Sequence, residues 1–196
     1  MHKNILLTAI LFLFIITAFT ARSQKTAGNS PVKWYKPAQA EKISKEQGKP
    51  ILINFYTDWC SWCKRMMKTT FASESIAAYI NGHFVPVRFN AEGNDTVTFQ
   101  GKTYTNPGKG RKPKHEFADE ILEGRFTFPT LVYIVPGGKK FPVPGYQNVK
   151  NIEPYLIYFA EKVYINLPLD HFISDYIFSF PGRFEEEIEK IKTTYS

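Results

Sequence analysis

The chain has 196 residues, 43% of them hydrophobic, and a formal net charge of +7. This length suits one domain with short additions, and the apolar content excludes wholesale disorder. The basic residues are scattered except for one cluster: Lys109, Arg111, Lys112 and Lys114. We interpret this cluster as a solvated loop and expect no nucleic-acid partner.

Residues 1–23 have the pattern of a secretory signal peptide. Lys3 precedes an apolar run from Ile5 to Ala18, and Ala21 and Ser23 are small residues where a signal peptidase reads the chain. We expect cleavage before Gln24 and export, to the periplasm. The alternative, an uncleaved anchor, is disfavoured because the run is shorter than the roughly 20 apolar residues that span a bilayer. We therefore expect no stable membrane insertion after the signal is removed.

The remaining chain divides into three parts. Residues 24–33 are a polar tether, residues 34–164 form the main domain with an insertion at about 93–113, and residues 165–196 are an extension. The mature chain would carry 23 basic and 18 acidic residues, a modest balance of +5.

The sequence of the first half of the main domain predicts, in chain order, a helix, a strand, two helices and a second strand. Pro37 suits a first helical turn and Gly48 a helix end, whereas Ser73 is a good cap and Asn81-Gly82 a stop. The predicted spans are a helix over 37–48, a strand over 51–56, a helix over 61–71, a helix from 73 to 82 and a strand over 84–89. The strand Ile51–Tyr56 is nearly all apolar, as expected in the middle of a covered sheet.

The second half begins with the insertion. Val97–Phe99 and Lys102–Tyr104 resemble a small hairpin, and a helix over 114–123, strands over 130–135 and up to 143, and a helix over 148–164 follow. A parallel crossover and a closing hairpin predict an α/β domain with a mixed central sheet flanked by helices. Aromatic residues of the extension (Phe172, Tyr176, Phe178, Phe180, Phe184) should cover part of the domain, with partner docking as the alternative.

The two cysteines of the chain, Cys60 and Cys63, follow the predicted central strand and open a helix. A helix N-terminus stabilises a thiolate through unpaired N–H groups and the helix dipole, so a depressed pKa would make Cys60 the nucleophile. Cys63, one turn into the helix, could resolve a mixed disulfide. Trp59 offers an apolar platform for a substrate peptide.

Two other roles for the cysteines stay open. Structural zinc needs four ligands, and His83, His115 and His171 show no tight ligand spacing, so we expect no metal. A purely structural disulfide would close a very small loop, which contributes only ~2 kcal/mol by chain entropy. We therefore favour redox chemistry without an organic cofactor.

The sequence resembles the thioredoxin superfamily over roughly residues 34–164, and in particular the C-terminal periplasmic domain of the membrane thiol:disulfide interchange reductase. The matching stretches are Gly48-Lys49-Pro50, the run from Asp58 to Lys64 around the cysteines, and Thr127-Phe128-Pro129-Thr130. The resemblance implies a thioredoxin fold, a cis Pro129 beside Cys60 and a Phe128 backbone that pairs with the substrate.

Two departures from the family pattern limit what can be carried over. Asn54 stands where the family commonly has a buried aspartate that moves protons, and Asp58 is a candidate substitute. Ser61-Trp62 replaces the Gly-Pro pair of ordinary thioredoxins, so Trp62 should alter both the substrate surface and the redox poise.

These observations predict an exported thiol:disulfide oxidoreductase that exchanges electrons with protein thiols and disulfides. The resemblance favours a reductase that receives electrons from a membrane donor. A disulfide oxidase or isomerase is the alternative within the class. A non-catalytic binding module, using the insertion and the extension, is the alternative outside it.

Overall fold

The computed structural model describes residues 31–108 and 110–179. This part of the chain contains six α-helices and six strands. They are α1 (Pro37–Gln47), β1 (Ile51–Tyr56), α2 (Ser61–Thr69), α3 (Glu74–His83), β2 (Val85–Asn90), β3 (Val97–Phe99), β4 (Lys102–Tyr104), α4 (Glu116–Leu122), β5 (Thr130–Ile134), β6 (Lys140–Pro144), α5 (Val149–Ala160) and α6 (Leu169–Ser179).

The central sheet has the strand order β2-β1-β5-β6. Strand β1 pairs in parallel with β2 and antiparallel with β5, and β5 pairs antiparallel with β6. The predicted mixed sheet is therefore confirmed. Pro86 is tolerated because β2 is an outer strand, beyond which the short segment at Tyr35 adds a single parallel bridge to Val87.

Apolar side chains fill both faces of this sheet. One core contains Leu52 and Leu131 together with residues of α3, α5 and α6. The other contains Ile53 and Val132 with residues of α1, α4 and the insertion. The alternation follows from the two-residue period of a strand, and burial on both faces explains the apolar run predicted for β1.

The insertion contains the predicted hairpin, with Val97 to Phe99 paired antiparallel to Lys102 to Tyr104. Phe99 and Tyr104 pack on Phe117 of α4, with ring centres 5.3 Å and 5.5 Å apart. Asn106 ties the rest of the loop down, because its Nδ2 donates to the carbonyls of Gly93 and Pro113.

Two predicted helix ends were wrong. Helix α3 runs through Asn81 and Gly82 to His83, because the Asn81 side chain instead bonds the backbone of Pro31 and Lys33. These bonds also hold the last residues of the predicted tether. Helix α5 ends at Ala160, and a separate 3-10 turn covers Val163–Ile165, after Lys162 adopts a left-handed conformation with φ 58°.

Helix α6 belongs to the extension and lies on α5. Phe172 is 1% exposed, with its ring centre 5.2 Å from that of Tyr158, and Tyr176 is also buried. The predicted covering role is thus seen for these two aromatic residues. The side chain of Phe178, all of Phe180 and Phe184, and the predicted signal peptide lie outside what the structure describes.

In residues 31–108 and 110–179, none of the helices combines the length and apolar character that crossing a membrane requires.

Candidate redox site

Cys60 and Cys63 form a disulfide at the N-terminus of α2. Cys60 is the N-cap residue, and its Sγ accepts the backbone N–H of Cys63 at 3.0 Å. The cysteines are 5% and 2% exposed, respectively. The N-cap position arises because Thr57 to Trp59 turn the chain away from β1, with the Cys60 N–H bonded to the Thr57 carbonyl. A sulfur therefore sits where the helix presents N–H groups, with its partner one turn deeper.

Strand β1 contributes a buried amide that contacts helix α2. Asn54 is 1% exposed; its Nδ2 lies 3.8 Å from Met67 Sδ, and its Oδ1 has no hydrogen-bond partner among the described residues. The hydroxyl of Thr57 is also buried and has no hydrogen-bond partner among the described residues. The carboxylate of Asp58 is exposed and accepts a hydrogen bond from Asn90 at 2.9 Å.

One wall of the site is built around Trp59, which is 55% exposed. Its indole N–H donates to Glu92 at 2.9 Å, and Lys112 Nζ lies 4.2 Å from the ring centre. Glu92 also pairs with Lys114 at 2.5 Å. Partial burial alone would raise the pKa of Glu92, but the hydrogen bonds from Lys114 and Trp59 outweigh burial and lower it. The site tryptophan is thereby fixed to both ends of the insertion.

A second wall is built around Trp62, which is 53% exposed. Its ring centre is 5.3 Å from that of Tyr146, and the Arg65 guanidinium lies 5.4 Å from Trp62 and 5.8 Å from Tyr146. The pKa of Tyr146 is lowered first by its hydrogen bond with Thr69 and further by the charge of Arg65. Trp62 is thus supported by a layer of side chains from α2 and the segment after β6.

The bend before β5 lies next to this site. The Phe128–Pro129 peptide bond is cis, the Pro129 carbonyl accepts the N–H of Gly145, and the Phe128 ring centre is 6.4 Å from that of Trp59. Because β1 and β5 are antiparallel neighbours, with Phe55 opposite Thr130, the last residues of β1 and the first residues of β5 lie at the same end of the sheet. The cysteine loop and the proline bend therefore lie at that end together.

Two of the three histidines considered as metal ligands make other contacts, and the third is exposed. The His83 ring stacks on Tyr79 at 4.3 Å, and His171 lies exposed on α6. His115 is fully buried: its Nδ1 accepts the Phe117 N–H, so its Nε2 donates to the Asp95 carbonyl. Within the described ranges, no group of three or more His, Cys, Asp or Glu residues is placed to hold a metal ion.

The structure brings together Cys60, Cys63, Trp59, Trp62 and the Phe128-Pro129 bend, whereas Asp58 points to Asn90. Sequence reasoning missed the residues that support the two tryptophans: Glu92, Lys112, Lys114, Arg65 and Tyr146. The cluster Lys109–Lys114 was the only signal for part of this set, and it was interpreted as a solvated loop. Lys112 and Lys114 in fact contact aromatic rings at the site.

A Cys-x-x-Cys pair at a helix start, on a central mixed sheet and beside a proline bend, defines the class of disulfide oxidoreductases. The model of the thioredoxin-like domain matches residues 37–160. The chain therefore belongs to the thioredoxin-like domain family, as the sequence predicted.

Individual relatives agree with this assignment. The chain is 35% identical over 68 residues to the thiol:disulfide interchange protein DsbD of Vibrio vulnificus, covering 32% of this chain and 11% of DsbD. It is 28% identical over 131 residues to protein disulfide-isomerase of Hordeum vulgare, covering 66% of this chain and 21% of the isomerase. The chain thus spans about a fifth or less of the length of these relatives. A thioredoxin-fold protein from Helicobacter pylori superposes with a TM-score of 0.52 at 20% identity, covering 86% of this chain and 92% of that one, which shows the shared fold.

Proposed function

We propose that this protein is an exported reductase of protein disulfides that works through Cys60 and Cys63. The observation that carries the proposal is the position of Cys60 Sγ, which accepts the Cys63 N–H at the start of α2. In the reduced protein the same N–H would donate to a Cys60 thiolate and favour its formation. Similarity to a thiol:disulfide interchange protein and a disulfide isomerase supports thiol exchange as the chemistry.

The reaction has two exchange steps. The Cys60 thiolate attacks one sulfur of a substrate disulfide; a Cys60–substrate bond forms, the substrate S–S bond breaks, and the leaving thiolate takes a proton. Cys63, as thiolate, then attacks Cys60 Sγ and releases the second substrate thiol. Two electrons pass to the substrate, and the Cys60–Cys63 disulfide is left for a dithiol donor to reduce. No step uses an organic cofactor or a metal.

Four further residues have proposed roles in these steps. The exposed rings of Trp59 and Trp62 would border the substrate segment, and the backbone at Phe128, shaped by Pro129, would pair with it. The exposure of both tryptophans and the contact of Trp59 with Phe128 support these roles.

Asp58 is the proposed proton acceptor for Cys63, since Asn54 cannot act as a base; to take this role its carboxylate would have to leave Asn90. Asp58→Asn should slow the resolving step and change its pH profile while leaving the first step unaltered. An unchanged pH profile would remove Asp58 from the mechanism.

A trapping experiment tests the cysteine assignment. Cys63→Ser should accumulate a mixed disulfide between Cys60 and a protein substrate, because the resolving thiol is missing. Cys60→Ser is the matched control and should trap nothing. Equal trapping by the two variants would contradict the assignment. A normal biological role for the double variant Cys60→Ala/Cys63→Ala would favour the binding-module alternative.

The direction and the location are tested separately. Known pairs of this kind span roughly −270 to −120 mV, so equilibration with glutathione buffers places the protein on that scale. A potential near the oxidising end would favour an oxidase or isomerase instead. For export, the protein recovered from the periplasm should begin at Gln24, and an intact N-terminus would contradict cleavage there.

A further inference from the structure

Positive side chains flank the disulfide on the side of Trp59. Lys112 lies 4.2 Å from the Trp59 ring centre and is exposed. Lys114 lies 5.9 Å from the Phe128 ring centre, beside the proline bend. Its charge is paired with Glu92, whereas Lys112 remains at the surface.

Positive side chains also project from the helix that carries Cys63 and Trp62. Helix α2, which begins directly after Cys60, carries Lys64, Arg65 and Lys68 and no acidic residue. All three are exposed, and Arg65 contacts the Trp62 ring. We call Lys64, Arg65, Lys68 and Lys112 the basic rim.

In the part of the chain that the structure describes, the basic rim has no close ion-pair partner. Among the described residues, none of its four members has a carboxylate within 4.0 Å. Two carboxylates lie near the site: Glu92 binds Trp59 and pairs with Lys114, with a weaker influence of Lys112, and Asp58 accepts from the neutral amide of Asn90. The four positive charges of the basic rim outnumber these carboxylates, so the described surface around Cys60 presents a local excess of positive charge that a partner can complement.

We propose that the basic rim makes this protein selective for polypeptide segments in which acidic residues flank the reactive cysteine. This inference rests on the proposed function, because the partner must bring a sulfur to Cys60. That requirement selects a polypeptide over other anionic partners. Carboxylates beside the substrate cysteine would face Lys112 on one wall and Arg65 on the other, which speeds encounter and disfavours basic segments.

Three disulfide-linked peptides test the proposal. They share length and sequence except for flanking Glu, Gln or Lys, and each is reduced by the reduced full-length protein. Each rate is divided by the rate of the same peptide with dithiothreitol in about 1 M salt, where the charge of the attacking dithiothreitol thiolate is screened, so that the intrinsic reactivity of the peptide is removed. We expect the Glu peptide to react about tenfold faster than the Gln peptide at low salt and the Lys peptide to be slowest. In about 1 M salt, where the Debye length is about 3 Å, the preference should fall to about twofold or less.

Charge-reversed variants locate the effect. Lys112→Glu and Arg65→Glu should each remove most of the preference for the Glu peptide. The control Lys139→Glu makes the same change of charge at the turn between β5 and β6, at the opposite end of the sheet, and should retain it. Equal effects of all three variants would show that net charge, not the basic rim, is responsible and would overturn the proposal.

The outcome separates this proposal from the proposed function. If the three peptides are reduced at equal normalised rates, the protein is a reductase without charge selection and the basic-rim proposal fails alone. If no peptide is reduced, the proposed function fails with it.

Discussion

Replacing Glu92 with glutamine tests how the insertion is held against the site. The Glu92–Lys114 pair is partly buried, with side chains 16% and 22% exposed, so water and salt screen it less than a fully exposed pair. Hydrogen bonds to charged groups contribute about 1.5–3 kcal/mol, and glutamine keeps an acceptor for the Trp59 N–H. We therefore expect E92Q to lower the free energy of unfolding at pH 7 by about 1–2 kcal/mol.

The pH dependence of this loss has a definite sign. The pKa of Glu92 in the folded protein lies below its ordinary value of 4.5. The ionised carboxylate thus stabilises the folded state above that value, and the contribution disappears as the pH falls through the lower, folded pKa. The difference in stability between wild type and E92Q should be constant between about pH 6 and pH 8 and should shrink below about pH 4.

Urea denaturation followed by circular dichroism across this pH range measures the difference. Glu123→Gln is the matched control, because Glu123 pairs with Arg125 in an exposed ion pair (57% and 76% exposed). Its loss should change stability by less than about 0.5 kcal/mol. If E92Q cost no more than the control, or its cost did not depend on pH, the reasoning about the Glu92 anchor would be refuted.

Three further substitutions probe the fold around the site. Phe172→Ala should lower the free energy of unfolding by about 3–5 kcal/mol, because the ring is buried against α5. The control Ile165→Ala changes an exposed side chain and should alter the free energy of unfolding by less than about 0.5 kcal/mol. Equal denaturation midpoints of the two variants would contradict the packing of α6. Asn54→Asp buries a carboxyl whose pKa is raised, so its destabilisation should grow as the pH rises above about 4, and a pH-independent effect would argue against burial. His115→Phe loses the hydrogen bonds to the backbone of Asp95 and Phe117, so a protease should cleave the insertion faster than in wild type. An unchanged rate of cleavage would show that His115 does not anchor the insertion.

Local signals predicted much of the fold. Strand β1 was predicted with its observed bounds because a short, nearly continuous apolar run is typical of a strand that is buried on both faces of a sheet. Gly48 was predicted as a helix end because its left-handed conformation, φ 65°, suits glycine. Asn81-Gly82 carried a similar stop signal and yet stays helical, since Asn81 binds the N-terminal segment 50 residues away in the chain. Long-range bonds of this kind leave no local trace.

The residues of the site also fall into two groups, those that a local sequence pattern predicted and those that it did not. The cysteines and the proline bend were found because each has a short, specific pattern in the chain. Glu92 and Lys112 were missed because they lie 33 and 53 residues from Trp59 in the chain, respectively, and only the folded sheet and insertion bring them to its ring. The positions of scattered charged residues in a loop sequence do not predict which aromatic ring each of them contacts in the folded protein.

The alkylation of the fully reduced protein at increasing pH tests the central claim most directly. Iodoacetamide reacts with thiolates, so the rate reports ionisation, and mass spectrometry identifies the cysteine that is modified first. We expect Cys60 to be modified before Cys63 and to be half-ionised well below the ordinary thiol value of about 8.5. Ionisation of Cys60 at or above that value, or earlier modification of Cys63, would contradict the account.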